Sequence, residues 1–416
     1  MHNKIDISNV SIEGRKIQYA YEVTGDWKEA FDENNLFWVE YECDISKVPL
    51  SIAILPFLCN LLPMAWVYDA EICTQVCDKC FYDNIEKVKQ GYIDMYPDMA
   101  FGGKLTVSKV EEHDIKTGDR VAAFFSGGVD AFNTLVMHEK EKPMLMTVWG
   151  ADIKLRDQNG WNHVLSHLQQ TAQEFHVEYT TIKSNFRSFL RAGILDKQVK
   201  ISGDGWWHGF QHGMGIIGLA APIAYSYSLS TIYFASSFTA KEKGLVTCAS
   251  DPSIDNHLHF ANTNVVHDGY EFNRQAKLHN ITQYANRNKA SIPLRVCWRS
   301  EGGMNCCNCE KCWRTMLGIY AEGYHPNDFG FDYSHKELKA VSDKMKRSVD
   351  PALGRLRYEP IQNTMRSNCK PDDIPKELRW FYEIDIDKLG KHPIYRYMRK
   401  WKRRIVRVVR GVKKDG

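Results

Sequence analysis

The pattern of hydrophobic and polar positions changes near residue 120. From Arg120 onward, short apolar runs alternate with helix-compatible segments, and this βα alternation is typical of a parallel sheet with both faces covered. The predicted strands are Val121–Phe125, Pro143–Trp149, Val177–Ile182 and Thr231–Ser236. The predicted helices are Ala131–Glu139, Asn159–Phe175, Ser184–Leu195 and Gly209–Ser228. The pattern therefore predicts an α/β fold with a doubly wound parallel sheet.

The first 118 residues follow a different pattern. Alternating runs rich in β-formers occupy residues 1–70 and predict a small β-rich N-terminal domain. A helical pattern covers Asp69–Asp98, and residues 100–118 resemble a charged connection into the next domain. We therefore expect three regions. They are the N-terminal domain at 1–118, an α/β domain at 119–323, and a helical C-terminal region at 324–416.

Two long stretches carry no charge, Val48–Tyr68 and Gly209–Ala240. Prolines interrupt the first, and glycines, prolines, serines and a histidine interrupt the second. Neither is the uninterrupted apolar segment of about 20 residues that spans a bilayer as a helix. We interpret both stretches as buried core.

The stretch VAAFFSGGVDAFNT, Val121–Thr134, joins the first α/β strand to the first α/β helix. A helix N-terminus presents unpaired backbone N–H groups at the positive end of the helix dipole, which favours an anion. Gly127 and Gly128 allow a phosphate to approach the backbone closely, and Ser126 adds a hydroxyl donor. Asp130 is unusual beside phosphates unless it serves a Mg²⁺ ion or orders the loop. The stretch predicts a phosphate site, with a plain glycine turn as the alternative.

This loop resembles the SGGxDS loop of the ATP pyrophosphatases, the PP-loop family of adenylating enzymes. Its spacing differs from both the Walker and the dinucleotide motifs, and Ala131 stands where the family usually has Ser or Thr. The resemblance implies a HUP-type sheet that binds ATP with Mg²⁺. In that family the loop cradles the pyrophosphate, and backbone groups after the second strand hold the adenine. The corresponding residues here are Ser126, Gly127, Gly128, Val129, Asp130, Trp149 and Gly150.

Four cysteines form the second strong motif, Cys297-x₈-Cys306-x₂-Cys309-x₂-Cys312. Four thiolates at short spacing suit a closed tetrahedral Zn²⁺ site. The flanking pattern predicts a strand before the first cysteine, a loop through Asn308 and a helix from Glu310. We predict a structural Zn²⁺ site, with an iron–sulfur cluster as the less favoured alternative, and Cys307 outside the ligand set.

The PP-loop together with this cysteine spacing resembles the 7-cyano-7-deazaguanine synthase family, over roughly residues 119–323. That family has a lysine-containing helix before its first zinc cysteine. The matching helix here is Glu271–Ala285, and the resemblance implies that Arg274 and Lys277 neutralise phosphate charge. The segments before residue 119 and after residue 323 have no counterpart in that compact enzyme, so a relative with another substrate is implied.

Other residues at predicted strand ends and loops complete the candidate site. Lys183 follows the third α/β strand and is a candidate phosphate ligand. His208 and His212 are four residues apart, a spacing that also suits a helical metal pair. Asp255 and His257 lie in a similar polar loop. We predict that these last four residues face the acceptor substrate, with ordinary packing or loop capping as the alternative for each.

Cys73-x₃-Cys77-x₂-Cys80 has the spacing of the iron–sulfur site of radical S-adenosylmethionine enzymes. The helical pattern around it places all three thiols on one helix face, where Cys packs as a small hydrophobe. We therefore favour core packing over a cluster.

The positive charge is concentrated at the C-terminus. The net charge is +3, and residues 396–416 contain ten Lys or Arg and one Asp, so the remainder is acidic. Apolar residues recur at steps of three and four within residues 394–414, which predicts a basic amphipathic helix. Such a helix binds a membrane surface or an acidic partner, or docks on its own domain; nucleic acid is less favoured. The polar N-terminus is not typical of a signal peptide. We predict a cytoplasmic protein, with peripheral attachment at the inner membrane surface as an option.

Three functions are consistent with these features. The first is an adenylating ligase that activates a small carboxylate or amide with ATP, releases pyrophosphate and passes the product to a nitrogen nucleophile. The second is a PP-loop tRNA-modifying enzyme of the thiolation type, which needs a reactive thiol; Cys248 is the mid-domain candidate outside the zinc set. The third is a non-catalytic ATP-binding module, which Ala131 makes plausible.

Overall fold

A computed structural model describes residues 2–113, 118–297, 301–348 and 351–386. The chain forms two compact units. The first comprises Met1–Asn273 and Ser300–Met304, and the second comprises Arg274–Arg299 and Asn305–Gly416.

The first unit contains one mixed sheet. Within the described residues its strands are β1 (Lys4–Glu13), β2 (Lys16–Thr24), β3 (Trp38–Tyr41), β4 (Glu71–Asp78), β5 (Lys104–Glu111), β6 (Val121–Phe124), β7 (Met144–Trp149), β8 (Tyr179–Ser184), β9 (Thr231–Ala235), β10 (His259–Phe260) and β11 (Thr263–Asp268). Their spatial order is β10-β11-β9-β6-β7-β8-β3-β2-β1-β4-β5.

The strands β11, β9, β6, β7 and β8 are parallel to one another. All four residues of β6 are buried, as expected for a strand covered on both faces. From β6 the chain continues to β7 and β8 on one side, and it later adds β9 and β11 on the other. The α/β prediction with a parallel multistranded sheet is confirmed, and the strand order reverses at β6.

The N-terminal strands do not form a sheet of their own. Val39 of β3 pairs antiparallel with Ser184 of β8, and the sheet then continues through β2, β1, β4 and β5. A separate N-terminal domain is therefore not confirmed. Residues 100–118, expected to be a connection, contain the edge strand β5.

The helices of the first unit pack around this sheet. They are α1 (Leu50–Ala53), α2 (Leu55–Tyr68), α3 (Lys79–Tyr82), α4 (Ile85–Met95), α5 (Val129–Met137), α6 (Gln158–Phe175), α7 (Ala192–Gln198), α8 (His212–Ile217), α9 (Ala221–Tyr227) and α10 (Pro252–Asp255). Residues Leu55–Trp66 of α2 are all buried, which confirms the interpretation of this charge-free stretch as core. No helix within the described ranges is both long and apolar enough to cross a membrane.

The helix prediction for Asp69–Asp98 was wrong in its first third. Cys73 and Cys77 lie on strand β4, and only Cys80 lies on a helix, the short α3. The three thiols therefore do not share a helix face. The spacing of the cysteines fits a helix, but alternate residues Ile72 and Thr74 are buried in a pairing with β1 and β5, and that two-residue period determines the local structure.

The second unit is helical in its described part. It contains α11 (Arg274–Asn288), α12 (Glu310–Ala321), α13 (His335–Ser348), α14 (Pro351–Asn368) and α15 (Arg379–Glu383). The predicted helix from Glu310 is confirmed. The predicted strand before Cys297 was wrong, because residues 291–297 have no strand pairing. The backbone of Leu294 and Val296 bonds to the Asn305 side chain instead. The basic stripe at residues 394–414 lies outside the described residues.

Candidate functional site

The predicted phosphate loop joins β6 to α5. Gly127 has φ +76°, a left-handed conformation that favours glycine. Gly128 is the N-cap residue of α5, and its backbone N–H donates to Ser126 Oγ at 3.4 Å. Ser126 is exposed, whereas Val129 and Ala131 are buried. Sequence reasoning thus placed a strand, a tight glycine turn and a helix start correctly.

This loop lies where the strand order of the sheet reverses. β6 pairs with β7 on one side and with β9 on the other, and its two neighbours run parallel to it. In open α/β sheets, ligands bind beyond the carboxyl ends of the strands at such a reversal. The loop therefore occupies the position in this sheet that is best suited to bind a ligand.

The end of β7 is sterically restricted. Gly150 has φ +112°, and a Cβ atom there would lie 2.0 Å from the carbonyl oxygen of Ser184. Only glycine allows β7 and β8 to approach each other at this point. Trp149 stacks on Trp161 with ring centroids 5.0 Å apart, so an aromatic contact packs against the Trp149–Gly150 corner.

Lys183 lies next to this corner. Its Nζ atom is 4.7 Å from the Trp149 ring centroid and 3.8 Å from a carboxylate oxygen of Glu40. The side chain thus packs along an aromatic face, and an acidic neighbour partly offsets its charge. Its predicted contact with phosphate stays a prediction.

Asp204 and His208 form the centre of a polar cluster in the first unit. His208 Nδ1 lies 3.0 Å from Asp204 Oδ2, and His208 sits in a π-helical turn, Trp207–Gln211. Such turns are rare in proteins, and those that occur often lie at functional sites. Thr247 Oγ1 and the backbone N–H of Gly205 also donate to Asp204, each at 2.8 Å. The carboxylate is thereby held in one orientation toward the imidazole.

Cys248 lies against this pair. Its preceding neighbour, Thr247, bonds to Asp204. Its following neighbour, Ala249, donates its backbone N–H to the His208 carbonyl at 2.8 Å. The backbone N–H of Ser250 approaches the Cys248 sulfur at 3.5 Å. Cys248 is therefore fixed by both neighbours beside His208.

The charged groups in this cluster shift one another's pKa values. The Asp204 carboxylate, and then the Cys248 sulfur, raise the pKa of His208 to about 10. Burial by itself raises the pKa of the Cys248 thiol, but interaction with His208 and His212 outweighs burial and lowers it to about 6. At neutral pH the cluster therefore contains a thiolate and an imidazolium, an ion pair that makes cysteine a strong nucleophile.

His212 belongs to the same cluster, whereas Asp255 belongs to a neighbouring one. Asp255 is fully buried, and its Oδ2 atom lies 2.8 Å from both His267 Nδ1 and Ser250 Oγ. Burial raises the pKa of Asp255, and its bond to His267 opposes this. His212 Nδ1 is buried and has no hydrogen-bond partner among the described residues.

His257 follows the short helix α10, and its backbone N–H donates to the Ile254 carbonyl. Across the described part of the chain, no hydrogen bond joins its side chain to the Asp255 network. Of the four residues predicted on the acceptor side, the structure thus brings His208 and His212 together at Cys248. Asp255 is linked to Cys248 only through Ser250, which contacts both.

The four cysteines of the second unit converge. The sulfur atoms of Cys297, Cys306, Cys309 and Cys312 all lie within 4.8 Å of one another. Individual pairs are 3.8 Å (Cys297–Cys309), 4.0 Å (Cys306–Cys312) and 3.5 Å (Cys309–Cys312) apart. A tetrahedral zinc with bonds of about 2.3 Å requires sulfur pairs about 3.8 Å apart. The four thiols fit a metal ion such as zinc. Among the described residues, they are the one group of His, Cys, Asp or Glu side chains that could hold a metal.

The surrounding structure explains why these thiols meet. Asn305 Oδ1 accepts from the Val296 backbone at 2.9 Å, and its Nδ2 atom donates to the Leu294 carbonyl at 2.7 Å. This side chain ties the first cysteine segment to the second in place of a strand pairing. Cys309 is the N-cap residue of α12, so a thiolate there faces the positive end of the helix dipole.

The thiol pKa values reflect crowding at this site. The contact with Cys312 lowers the pKa of Cys309, and the same contact raises that of Cys312. Cys307 lies outside the group, as predicted, and burial raises its pKa to about 12. A divalent cation would remove the competition among the four ligands by binding all of them as thiolates.

Arg274 and Lys277 lie on α11 in the second unit. Lys277 is 1% exposed. Burial lowers the pKa of the Arg314 guanidinium, and the nearby charge of Arg274 lowers it further. Ser126–Asp130 belong to the first unit. A role for the two cations at the phosphate loop stays a prediction.

Sequence reasoning missed the Asp204–His208 pair and the Ser250–Asp255–His267 network. The i, i+4 spacing of Asp204 and His208 was the available signal, since residues at that spacing meet on a helix. Nothing local linked Cys248 to His208, 40 residues earlier in the chain.

Comparison of the chain with protein-family models and with curated proteins gives no match.

Proposed function

We propose that this chain is an adenylating ligase. It activates the oxygen of a small carboxylate or amide with ATP, releases pyrophosphate, and lets a nitrogen nucleophile displace AMP. The observation that carries this proposal is the position of Ser126–Asp130, which runs from the end of β6 into the first turn of α5, at the reversal of strand order. The resemblance to the PP-loop family gives the reaction type.

On this proposal, backbone N–H groups at Gly127, Gly128 and Val129 bind the pyrophosphate, and Ser126 adds its hydroxyl. Asp130 orders the loop or holds Mg²⁺. Catalysis is then mostly stabilisation of charge on the leaving phosphates and positioning of the acceptor. Ala131 lacks the hydroxyl of the Ser or Thr that the PP-loop family usually has at this position, but the backbone donors do not depend on it.

On this proposal, the resemblance and the sequence motifs give the remaining candidate residues their roles. The Trp149–Gly150 corner presents backbone groups for an adenine ring, and Lys183 supplies a positive charge beside it. For Arg274 and Lys277, a role in neutralising phosphate charge is implied by the resemblance alone. The His208–Cys248 cluster, at the end of β9, is on the acceptor side. Zn²⁺ in the four-cysteine site is structural, because four protein ligands leave no open position.

The test is the product pattern from ATP labelled in its α-phosphate, incubated with Mg²⁺ and a panel of small carboxylic acids. We expect labelled AMP and unlabelled pyrophosphate that depend on one of the acids. Asp130→Ala should lower AMP formation at least tenfold, whereas Glu86→Gln, an exposed carboxylate on α4, should leave it unchanged. Production of ADP, or tight ATP binding without acid-dependent turnover, would contradict the proposal and favour a binding module.

A further inference from the structure

The Cys248 cluster has the parts of a covalent catalyst. A nucleophilic thiol, a basic imidazole beside it, and a carboxylate that orients the imidazole form the arrangement by which cysteine enzymes transfer acyl groups. Here Cys248, His208 and Asp204 have these positions. The arrangement is recognised by its geometry and by the role of each group, whatever the order in the chain.

Several contacts are more specific than packing requires. Thr247 and Ala249, on either side of Cys248, both bond to the Asp204–His208 turn. The Ser250 backbone N–H approaches the sulfur, as a donor to a thiolate would. His208 sits in a π-helical turn, which breaks the regular α-helical spacing at this position.

The exposure of the two reacting groups also fits catalysis. The His208 side chain is 46% exposed, whereas Cys248 is 6% exposed. The imidazole thus connects the thiol to solvent, while the sulfur itself is held in a fixed environment. Edge-to-face contacts of His208 with Phe238 and of His212 with Phe234 place both imidazoles at the end of β9. Because β9 and β6 are adjacent and parallel, this is the sheet edge at which the Ser126–Asp130 loop lies.

We propose that Cys248 is a nucleophile that accepts an acyl group from an activated carboxyl compound, with His208 as its base and Asp204 as the positioning residue. The choice of an acyl adenylate as the natural donor rests on the proposed function. The nucleophilic character of Cys248 does not, and it applies to any activated ester.

The step balances without a further reactant. The Cys248 thiolate attacks the carbonyl carbon of the acyl adenylate, a C–S bond forms, and the C–O bond to phosphate breaks with its electron pair leaving on AMP. His208 stays an imidazolium at this stage, because its hydrogen bond to Asp204 remains. An amine then attacks the thioester, its surplus proton passes to solvent, and the C–S bond breaks with its electron pair on Cys248, so that the thiolate pairs with the His208 imidazolium again.

The groups that face Cys248 determine its titration. They are His208 and His212 on the 207–217 helical segment and Tyr92 and Tyr96 on or just after α4. The two tyrosines have raised pKa values, chiefly through burial, and stay neutral near pH 7. The two histidines are therefore the groups whose replacement should move the titration.

The experiment uses the full chain and 4-nitrophenyl acetate, without ATP. We expect a burst of nitrophenolate and a single acetyl group on the Cys248 peptide by mass spectrometry. The burst rate of the wild type should rise with a midpoint near pH 6, far below the ordinary 9.0 of a thiol. Cys248→Ser should abolish the burst. Cys80→Ser, which removes a thiol bonded to Asn262, should leave it unchanged.

His208→Gln should slow the burst at pH 6 at least tenfold and move its midpoint upward, because thiolate is then scarce at that pH. Thiolate absorbance at 240 nm, taken as the difference between the wild type and Cys248→Ser, measures the same titration without any reagent. A low midpoint by absorbance with no acetylation would make Cys248 a structural thiolate and overturn the proposal. Acetylation with a midpoint near 9, or at other cysteines, would also overturn it. Because no ATP is present, none of these results depends on whether the Ser126–Asp130 loop binds nucleotide.

Discussion

His208 Nδ1 lies 3.0 Å from Asp204 Oδ2, and the backbone N–H of the residue after Cys248 donates to the His208 carbonyl. The segment Asp204–His208 thus contains the carboxylate, the imidazole and the carbonyl group that positions the Cys248 segment. The pKa of His208 depends first on Asp204 and then on Cys248.

Asp204→Asn should lower the pKa of His208 from about 10, because the amide keeps the size of the side chain but removes its charge. The histidine ring proton followed by NMR against pH measures this directly. Asp196→Asn is a useful control: Asp196 bonds to the Trp206 backbone, near the cluster but not to the imidazole. An unchanged His208 titration in Asp204→Asn would show that the carboxylate does not act on the ring.

His138 should make stability fall as the solution becomes alkaline. Burial lowers its pKa, but Asp268 and Glu141 outweigh burial and raise it to about 8, above the unfolded value of 6.5. The stabilisation is therefore complete below about pH 6.5 and is lost as pH rises through 8. We expect the melting temperature to fall across this interval, and His138→Gln should reduce that fall. An equal fall in the variant would assign the dependence to other groups.

Removal of metal from the four-cysteine site should destabilise the second unit. A chelator should release about one zinc per chain and lower the melting temperature, because binding energy at such a site contributes to folding. Cys312→Ser should lose the metal during purification, whereas Cys307→Ser should retain it, since Cys307 lies outside the group. Zinc content by elemental analysis distinguishes the two variants. Full zinc retention in Cys312→Ser would contradict four-thiolate binding.

Gly150→Ala should destabilise the first unit by about 1–3 kcal/mol, the usual cost of forcing a side chain into a strained backbone conformation. The new Cβ would also collide with the Ser184 carbonyl oxygen, at 2.0 Å. Gly193→Ala is the matched control, because its Cβ would meet nothing within 4 Å, and there alanine should be neutral or stabilising. Chemical unfolding measures the free energy of unfolding of the two variants. Equal values would show that the β7–β8 corner accommodates a side chain at residue 150 without strain.

Local patterns predicted the centre of the sheet well. The apolar strands from Val121 to Ala235 and the glycine turn at Gly127 are close to the predicted positions, since buried parallel strands and helix starts have strong local signals. Predictions failed where two periods competed and where a side chain replaced a strand pairing. Cys73 and Cys77 have helical spacing yet lie in β4, and the residues before Cys297 bond to the Asn305 side chain instead of forming a strand.

What the sequence by itself determined is therefore the α/β class, the Ser126–Asp130 turn and the four-cysteine group, because each depends on residues close together in the chain. The tertiary structure decided which strand lies beside which, and so placed the turn at the reversal of strand order. It also decided that Cys248 meets Asp204 and His208. Those contacts join segments about 40 residues apart, and only the packing of the π-helical turn against the loop after β9 brings them together.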